Sequence, residues 1–127
     1  MTIRECIDRL DGLKPNQYQE ETKIRWLSIL DSEITTNIIY THHLLPGEEY
    51  KDFEPYTTQD LDKPLIAPFP HDEMYIAYLE MKIDEANKET ARYNNSAILF
   101  NAYYDNFAKA YQKIHKPINK ARFNNWR

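Results

Sequence analysis

The sequence predicts an all-α fold of about four helices, and three observations support this prediction. Apolar residues recur at intervals of three and four along most of the chain, which is the spacing of a helix buried on one side. Only two of the 127 residues are glycine, whereas sheets with tight turns use many. The length fits one domain, so we expect a single helical domain over residues 1–127.

The first helix is predicted at the start of the chain. Thr2 and Glu5 have the spacing of a capping box, and Gly12 and Pro15 end the helix that they begin. Its apolar face includes Cys6, which we interpret as a small core residue rather than a reactive thiol. Because it is the single cysteine, an intrachain disulfide is excluded.

The second helix is predicted from an N-cap at Asn16 to about His43. Trp26 and Ile29 fall off its main apolar stripe, so a second face is partly apolar. Asp31 lies inside the stripe, where a carboxylate must be paired, hydrogen-bonded or at the rim of the buried surface. We favour the rim position over a buried anchor. The stripe consists of Ile24, Leu27, Leu30, Ile34 and Ile38.

A long loop is predicted over 44–70, where five of the seven prolines and an excess of acidic residues lie. Loops of this length are usually functional or disordered. The aromatic and aliphatic content of this loop argues against disorder. We therefore expect the loop to pack on the body or on a neighbouring subunit, with a short strand pairing near Leu65 and Ile66 as a further option.

Two more helices are predicted after the loop, beginning near Asp72 and ending at Pro117. Their apolar stripes stay in register, so a single long helix is an alternative. We favour a helical hairpin with its turn at Asn87, because Asn tolerates the left-handed conformation and a hairpin buries both stripes within one chain. The stripes are Ile76, Leu79, Ile83 and Ala86, then Tyr93, Ala97, Phe100, Tyr104, Phe107, Tyr111 and Ile114.

The tail at 118–127 is basic and contains no acidic residue. Cations near a helix C-terminus are favoured by the helix dipole, and that explanation competes with a docking arm that orders on a partner. The acidic loop of one subunit and the basic tail of the next are complementary for a head-to-tail contact. The candidate interface residues are Phe53, Tyr56 and Phe69 in the loop and Lys120, Arg122, Phe123 and Trp126 in the tail.

Catalytic and membrane signatures are absent from the sequence. There is no glycine-rich phosphate loop, GxSxG, CxxC or HExxH, and adjacent His42 and His43 diverge too far for joint ligation. We therefore expect no enzyme, metal or cofactor. The net charge of −4 gives no overall attraction to nucleic acid. No signal peptide or membrane span is apparent, which predicts a soluble protein made in a reducing cytoplasm.

Several segments resemble a family of phage and prophage proteins from Gram-positive bacteria. The resemblance covers most of the chain except the loop at 45–67 and the last ten residues. The family is that of the head–tail connector (adaptor, or head-completion) proteins. The segments are 13–18 (LKPNQY), 23–27 (KIRWL) with 30–31 (LD), 74–80 (MYIAYLE) continued by 83–84 (ID) and 86–87 (AN), 92–96 (RYNNS), 100–103 (FNAY) and an end near 115–117 (HKP).

The resemblance implies a small helical virion protein, made in the host cytoplasm, that forms a homo-oligomeric ring between the phage portal and tail proteins. Family members often carry Asn-Gly at the turn between the last two helices, where this chain has Asn87-Lys88. The alternative function is that of a small prophage-encoded nucleic-acid-binding or regulatory protein. Direct nucleic-acid binding is less favoured than docking on a protein partner. A steep dependence of nucleic-acid affinity on salt would reveal it.

Overall fold

The computed structural model describes residues 1–118 and confirms the all-α fold. No strand forms in this part of the chain. A single π-helical turn, Thr35–Ile39, continues the second helix without a break. The α-helices are α1 (Ile3–Leu13), α2 (Glu20–Ile34), α3 (Glu73–Ala86) and α4 (Thr90–Ile114).

Helix α1 begins where its sequence predicts, but it continues through Gly12 and ends at Leu13. Thr2 is the N-cap, and its hydroxyl oxygen accepts a hydrogen bond from the Glu5 amide at 3.1 Å. Cys6 is completely buried beside Ile7 and Leu10, which confirms that it is a core residue. Burial raises the pKa of the Cys6 thiol to about 12, so the reactive thiolate is disfavoured.

Helix α2 is shorter than the sequence predicts at both ends. Asn16 does not cap it: its side chain accepts from the Tyr18 amide at 3.1 Å and donates to the Lys14 carbonyl at 2.9 Å, which folds a turn before the helix. At the other end the Thr35 hydroxyl donates to the Asp31 carbonyl at 2.9 Å, where the regular α-helical ladder ends. The π-helical turn then ends at Ile39 rather than near His43.

Helix α3 lies at the centre of the molecule and is buried on nearly all sides. Helices α1, α2 and α4 all contact it. Helix α4 covers one side of α3. Phe107 is the one residue of α4 that is buried. With 25 residues against 14, α4 is about 16 Å longer than α3. The buried residues of α3 are Met74, Tyr75, Ile76, Ala77, Tyr78, Leu79, Ile83 and Asp84.

The turn between α3 and α4 confirms the predicted hairpin and excludes a single long helix. Its left-handed residue is Lys88, with φ 58°, and not Asn87, which keeps a helical conformation. The Lys88 amide donates to the Glu85 carbonyl and the Glu89 amide to the Asp84 carbonyl, both at 3.0 Å. These two hydrogen bonds define a Schellman motif, which satisfies the last carbonyl groups of α3.

The loop at 44–70 packs on the body of its own chain. Leu65 and Ala67 are buried in the core. The Leu65 amide donates to the Met1 carbonyl at 2.9 Å, and the adjoining pair Thr2 and Pro64 forms an isolated antiparallel bridge. The strand pairing considered near Leu65 and Ile66 is therefore reduced to this bridge.

Candidate functional site

A buried carboxylate, that of Asp31, joins α2, α3 and the long loop. Its Oδ1 accepts from the Tyr75 hydroxyl at 2.5 Å. Its Oδ2 accepts from the Tyr56 hydroxyl at 2.5 Å and from the Ile66 amide at 3.2 Å. Asp31 is 0% exposed, so the rim position favoured from the sequence is wrong and the buried anchor is correct.

Hydrogen bonds, not an ion pair, stabilise the Asp31 carboxylate. Within residues 1–118 it forms no salt bridge. Burial raises the pKa of Asp31, and the hydrogen bonds from Tyr56, Tyr75 and Ile66 oppose that rise. Burial and the nearby Asp31 charge likewise raise the pKa of Tyr56 and of Tyr75, so both phenols stay protonated donors. The anchor therefore holds the loop through the hydrogen bonds that Tyr56 and Ile66 donate to the buried carboxylate.

This anchor places the loop segment 53–58 against the outer face of α2. The Tyr56 amide donates to the Ser28 hydroxyl oxygen at 3.0 Å. The Phe53 ring packs edge-to-face on the Tyr56 ring, with centroids 5.2 Å apart. Between the segment and the helix lie two adjoining cavities of about 420 and 360 Å³, which share Arg25, Ser28 and Pro55. We call this depression the α2 groove.

The α2 groove combines an apolar side with charged ends. Ile29 lines it and is 40% exposed. Arg25 lies in its middle, Glu21 lines one cavity and Glu33 the other. A surface of this kind suits an extended segment that carries aromatic groups between cations.

The structure brings some of the predicted interface residues together and separates others. Phe53 and Tyr56 form the loop side of the α2 groove. Phe69 is 85% exposed and does not line the groove. Lys120, Arg122, Phe123 and Trp126 lie outside the described residues.

Sequence reasoning missed the helix side of the groove, which Arg25, Ser28 and Ile29 form. The available signal was the position of Ile29 off the main stripe. An apolar residue on the second face of a helix indicates contact with something other than the core. The groove itself depends on the position of segment 53–58, which periodicity does not encode.

Within one chain, the acidic loop contacts the C-terminal end of α4, and the first residue of the basic tail bonds to Thr41, just before the loop. The Ile118 amide donates to the Thr41 carbonyl at 2.8 Å. His115 Nε2 lies 2.8 Å from Glu48 Oε1, which also accepts from the Leu45 amide at 2.8 Å. The Leu45 amide, followed by His115, lowers the pKa of the Glu48 carboxyl. These contacts fix the point from which the remaining nine residues of the sequence continue.

Metal and membrane sites have no support in the part of the chain that the structure describes. Residues 1–118 contain no cluster of three or more His, Cys, Asp or Glu side chains suited to a metal ion. His42 Nδ1 lies 2.6 Å from the Ile38 carbonyl oxygen, so that nitrogen carries a proton. None of the described helices has the length and hydropathy needed to cross a bilayer.

Comparison of the chain with family models, with curated proteins and with solved structures identified no match.

Proposed function

We propose that the chain is a structural phage protein, a head–tail connector subunit that oligomerises between portal and tail. The observation that supports it most is the α2 groove, whose loop side is fixed on α2 by the hydrogen bonds of Tyr56 to Ser28 and Asp31. A subunit of a ring needs a rigid body and two different contact surfaces, because a head-to-tail interface repeats until the ring closes. The resemblance of segments 13–18, 74–80 and 92–96 to connector proteins supports the same proposal.

Further exposed apolar side chains fit a protein that assembles with others. Phe69 is 85% exposed in the turn before α3, and Ile98 is 70% exposed on the outer side of α4. Large apolar side chains gain free energy when a partner removes them from water. They lie on different elements from the α2 groove, as contacts to portal and tail proteins would require.

The test is quantitative mass spectrometry of purified phage particles, with the copies of this chain counted against the major capsid protein. A small, fixed number of copies per particle is the expected result, because a ring occurs once per virion. A copy number close to that of the capsid protein would indicate a capsid or tail-tube role instead. Intact tailed particles without the chain would overturn the proposal.

A regulatory protein that binds nucleic acid is the second candidate, favoured by one observation. From Asn106 onward the sequence has no acidic residue, and Lys109, Lys113 and Lys116 are exposed at the end of α4 or just after it. Phosphate neutralisation by these cations would make affinity for duplex DNA fall steeply as salt rises. Titration of the full chain with duplex DNA at two salt concentrations separates the two functions.

A further inference from the structure

The α2 groove has the length of a short extended peptide. Glu21 and Glu33 mark its ends and lie twelve residues apart on α2, which corresponds to about 18 Å along the helix axis. An extended chain advances about 3.3 Å per residue, so five or six residues span the groove. Ile29 and Phe53 provide apolar surface between the two ends.

The charges in the groove select for a basic, aromatic occupant. Glu21 and Glu33 are exposed, and neither forms an ion pair or side-chain hydrogen bond with another residue in 1–118. Arg25 lies between them, also without an ion pair to any described residue. A guanidinium group in that position favours an aromatic ring stacked on its face.

The sequence contains one segment with this pattern, 119–127 (NKARFNNWR). Arg122 and Arg127 are five residues apart, or about 17 Å in an extended chain, which matches the separation of the two glutamates. Phe123 and Trp126 lie between the two arginines, as the apolar surface and Arg25 require. The segment contains no acidic residue that Glu21 or Glu33 would repel.

We infer that the α2 groove binds the C-terminal segment 119–127 of a second copy of this chain. That the segment comes from a second copy rests on the proposed function, since a groove and a segment on every subunit form the two halves of a head-to-tail contact. The segment begins after Ile118, whose amide is bonded to Thr41 beyond the end of α2.

The experiment uses two complementary full-length variants and sedimentation velocity at low salt. Glu21→Lys/Glu33→Lys alters the groove, and Arg122→Ala/Arg127→Ala alters the segment. The wild-type chain is expected to self-associate as its concentration rises, and each variant alone to self-associate about tenfold more weakly. An equimolar mixture is expected to form pairs, because one partner keeps an intact groove and the other an intact segment. Pairing also shows that both variants are folded.

Glu49→Lys/Asp62→Lys is the matched control. Both residues are exposed in the acidic loop, do not line the groove, and change the net charge by the same amount as the groove variant. This control is expected to self-associate like the wild type. A loss as large as that of the groove variant would mean that general loop charge holds the copies together, and the inference would be wrong.

Two other outcomes overturn the inference. One is a wild-type chain that stays monomeric at every concentration. If both variants are also monomers that sediment more slowly than the wild type, the segment binds the groove of its own chain. The other is a mixture of variants that does not pair. Failure here is separate from failure of the proposed function: a chain counted in virions but monomeric alone refutes only the inference, and a self-associating chain absent from virions refutes only the function.

Discussion

Asp31 places a carboxylate in the core of a helical protein, where an ionised group is costly unless its oxygens are hydrogen-bonded. Tyr56, Tyr75 and Ile66 provide the donors, and the Tyr75 hydroxyl in turn accepts from the Ala67 amide at 2.8 Å. Loss of the carboxylate would leave buried donors without partners. The stability of the core and the position of loop segment 53–58 therefore depend on one side chain.

We expect Asp31→Ala to lower the free energy of unfolding by about 3–5 kcal/mol, because up to three donors lose their acceptor. Asp31→Asn should cost less. Its amide oxygen can still accept from Tyr56 and Ile66, while its NH₂ group cannot accept from Tyr75. Urea unfolding at a fixed pH measures both values. Equal losses for Ala and Asn would show that the hydrogen bonds do not determine the stability.

The same residue gives a pH dependence with a defined sign. Burial raises the pKa of Asp31 in the folded state, so the folded chain holds a proton that the unfolded chain has lost between the two pKa values. The resulting stability is full below the unfolded pKa and is lost as pH rises through the folded pKa. The difference in stability between wild type and Asp31→Asn should therefore be larger near pH 4 than at pH 7. A difference that grows with pH would contradict the raised pKa.

The sequence could predict where Asp31 lies on its helix but not what surrounds it. Its position inside the apolar stripe follows from helical periodicity. Its partners Tyr56, Ile66 and Tyr75 are 25, 35 and 44 residues away in the sequence. Two of these three lie in the loop, whose path over α2 no periodic pattern specifies. The α2 groove was missed for the same reason. Phe53 and Tyr56 were predicted as interface residues, but the sequence did not show that they face α2.

At the scale of elements, the turn between α3 and α4 contains a local strain that a substitution can relieve. Lys88 has φ 58°, a conformation that costs a residue with a Cβ about 1–2 kcal/mol. We expect Lys88→Gly to raise the free energy of unfolding by about 0.5–1 kcal/mol, because part of the relief is offset by the entropy of glycine in the unfolded chain. Thermal and urea unfolding of the full chain measure the change.

Asn87→Gly is the matched control at the neighbouring position. Asn87 has φ −81°, which any residue adopts, and its Oδ1 accepts from the Tyr18 hydroxyl at 2.6 Å. Glycine there removes that hydrogen bond and relieves no strain, so it should destabilise the protein by about 1 kcal/mol. If both glycine variants shift stability in the same direction, the strain at Lys88 is not the cause.

Periodicity predicted the bodies of the helices more accurately than their ends. The four apolar stripes correspond to α1, α2, α3 and α4 because each helix must bury one face. The start and end of α2 instead depend on Asn16 and Thr35, whose side chains bond to nearby backbone groups. Such bonds compete locally with the helix, and the residue type alone does not tell which arrangement forms.

At the scale of the whole molecule, two polar contacts join the segment between α1 and α2 to the α3–α4 hairpin. Lys14 Nζ lies 2.6 Å from Asp84 Oδ1, and the Tyr18 hydroxyl donates to Asn87 Oδ1 at 2.6 Å. Within the hairpin, the Ser96 hydroxyl also donates to Asp84 Oδ2 at 2.6 Å. These residues belong to the segments on which the resemblance to connector proteins rests. Within this structure they close one end of the helical body.

Lys14→Met tests how much this closure contributes to stability. Asp84 is only 1% exposed, so the substitution leaves a buried carboxylate with Ser96 as its remaining partner. Lys14 is itself partly exposed, and we therefore expect a loss of about 2–3 kcal/mol, below the usual value for a broken buried pair. Lys82→Met, which breaks the more exposed pair with Glu85, should cost under about 0.5 kcal/mol.

The double variant Lys14→Met/Asp84→Asn then separates the effect of charge from that of packing. If the loss in Lys14→Met comes from an uncompensated buried charge, the neutral amide should recover most of it, because the amide oxygen introduced at position 84 would still accept from Ser96. Urea unfolding of wild type, both single variants and the double variant at pH 7 gives the coupling energy. A coupling energy near zero would mean that Lys14 stabilises the end of the molecule through its aliphatic chain, and that the ion pair does not hold the hairpin to the rest of the body.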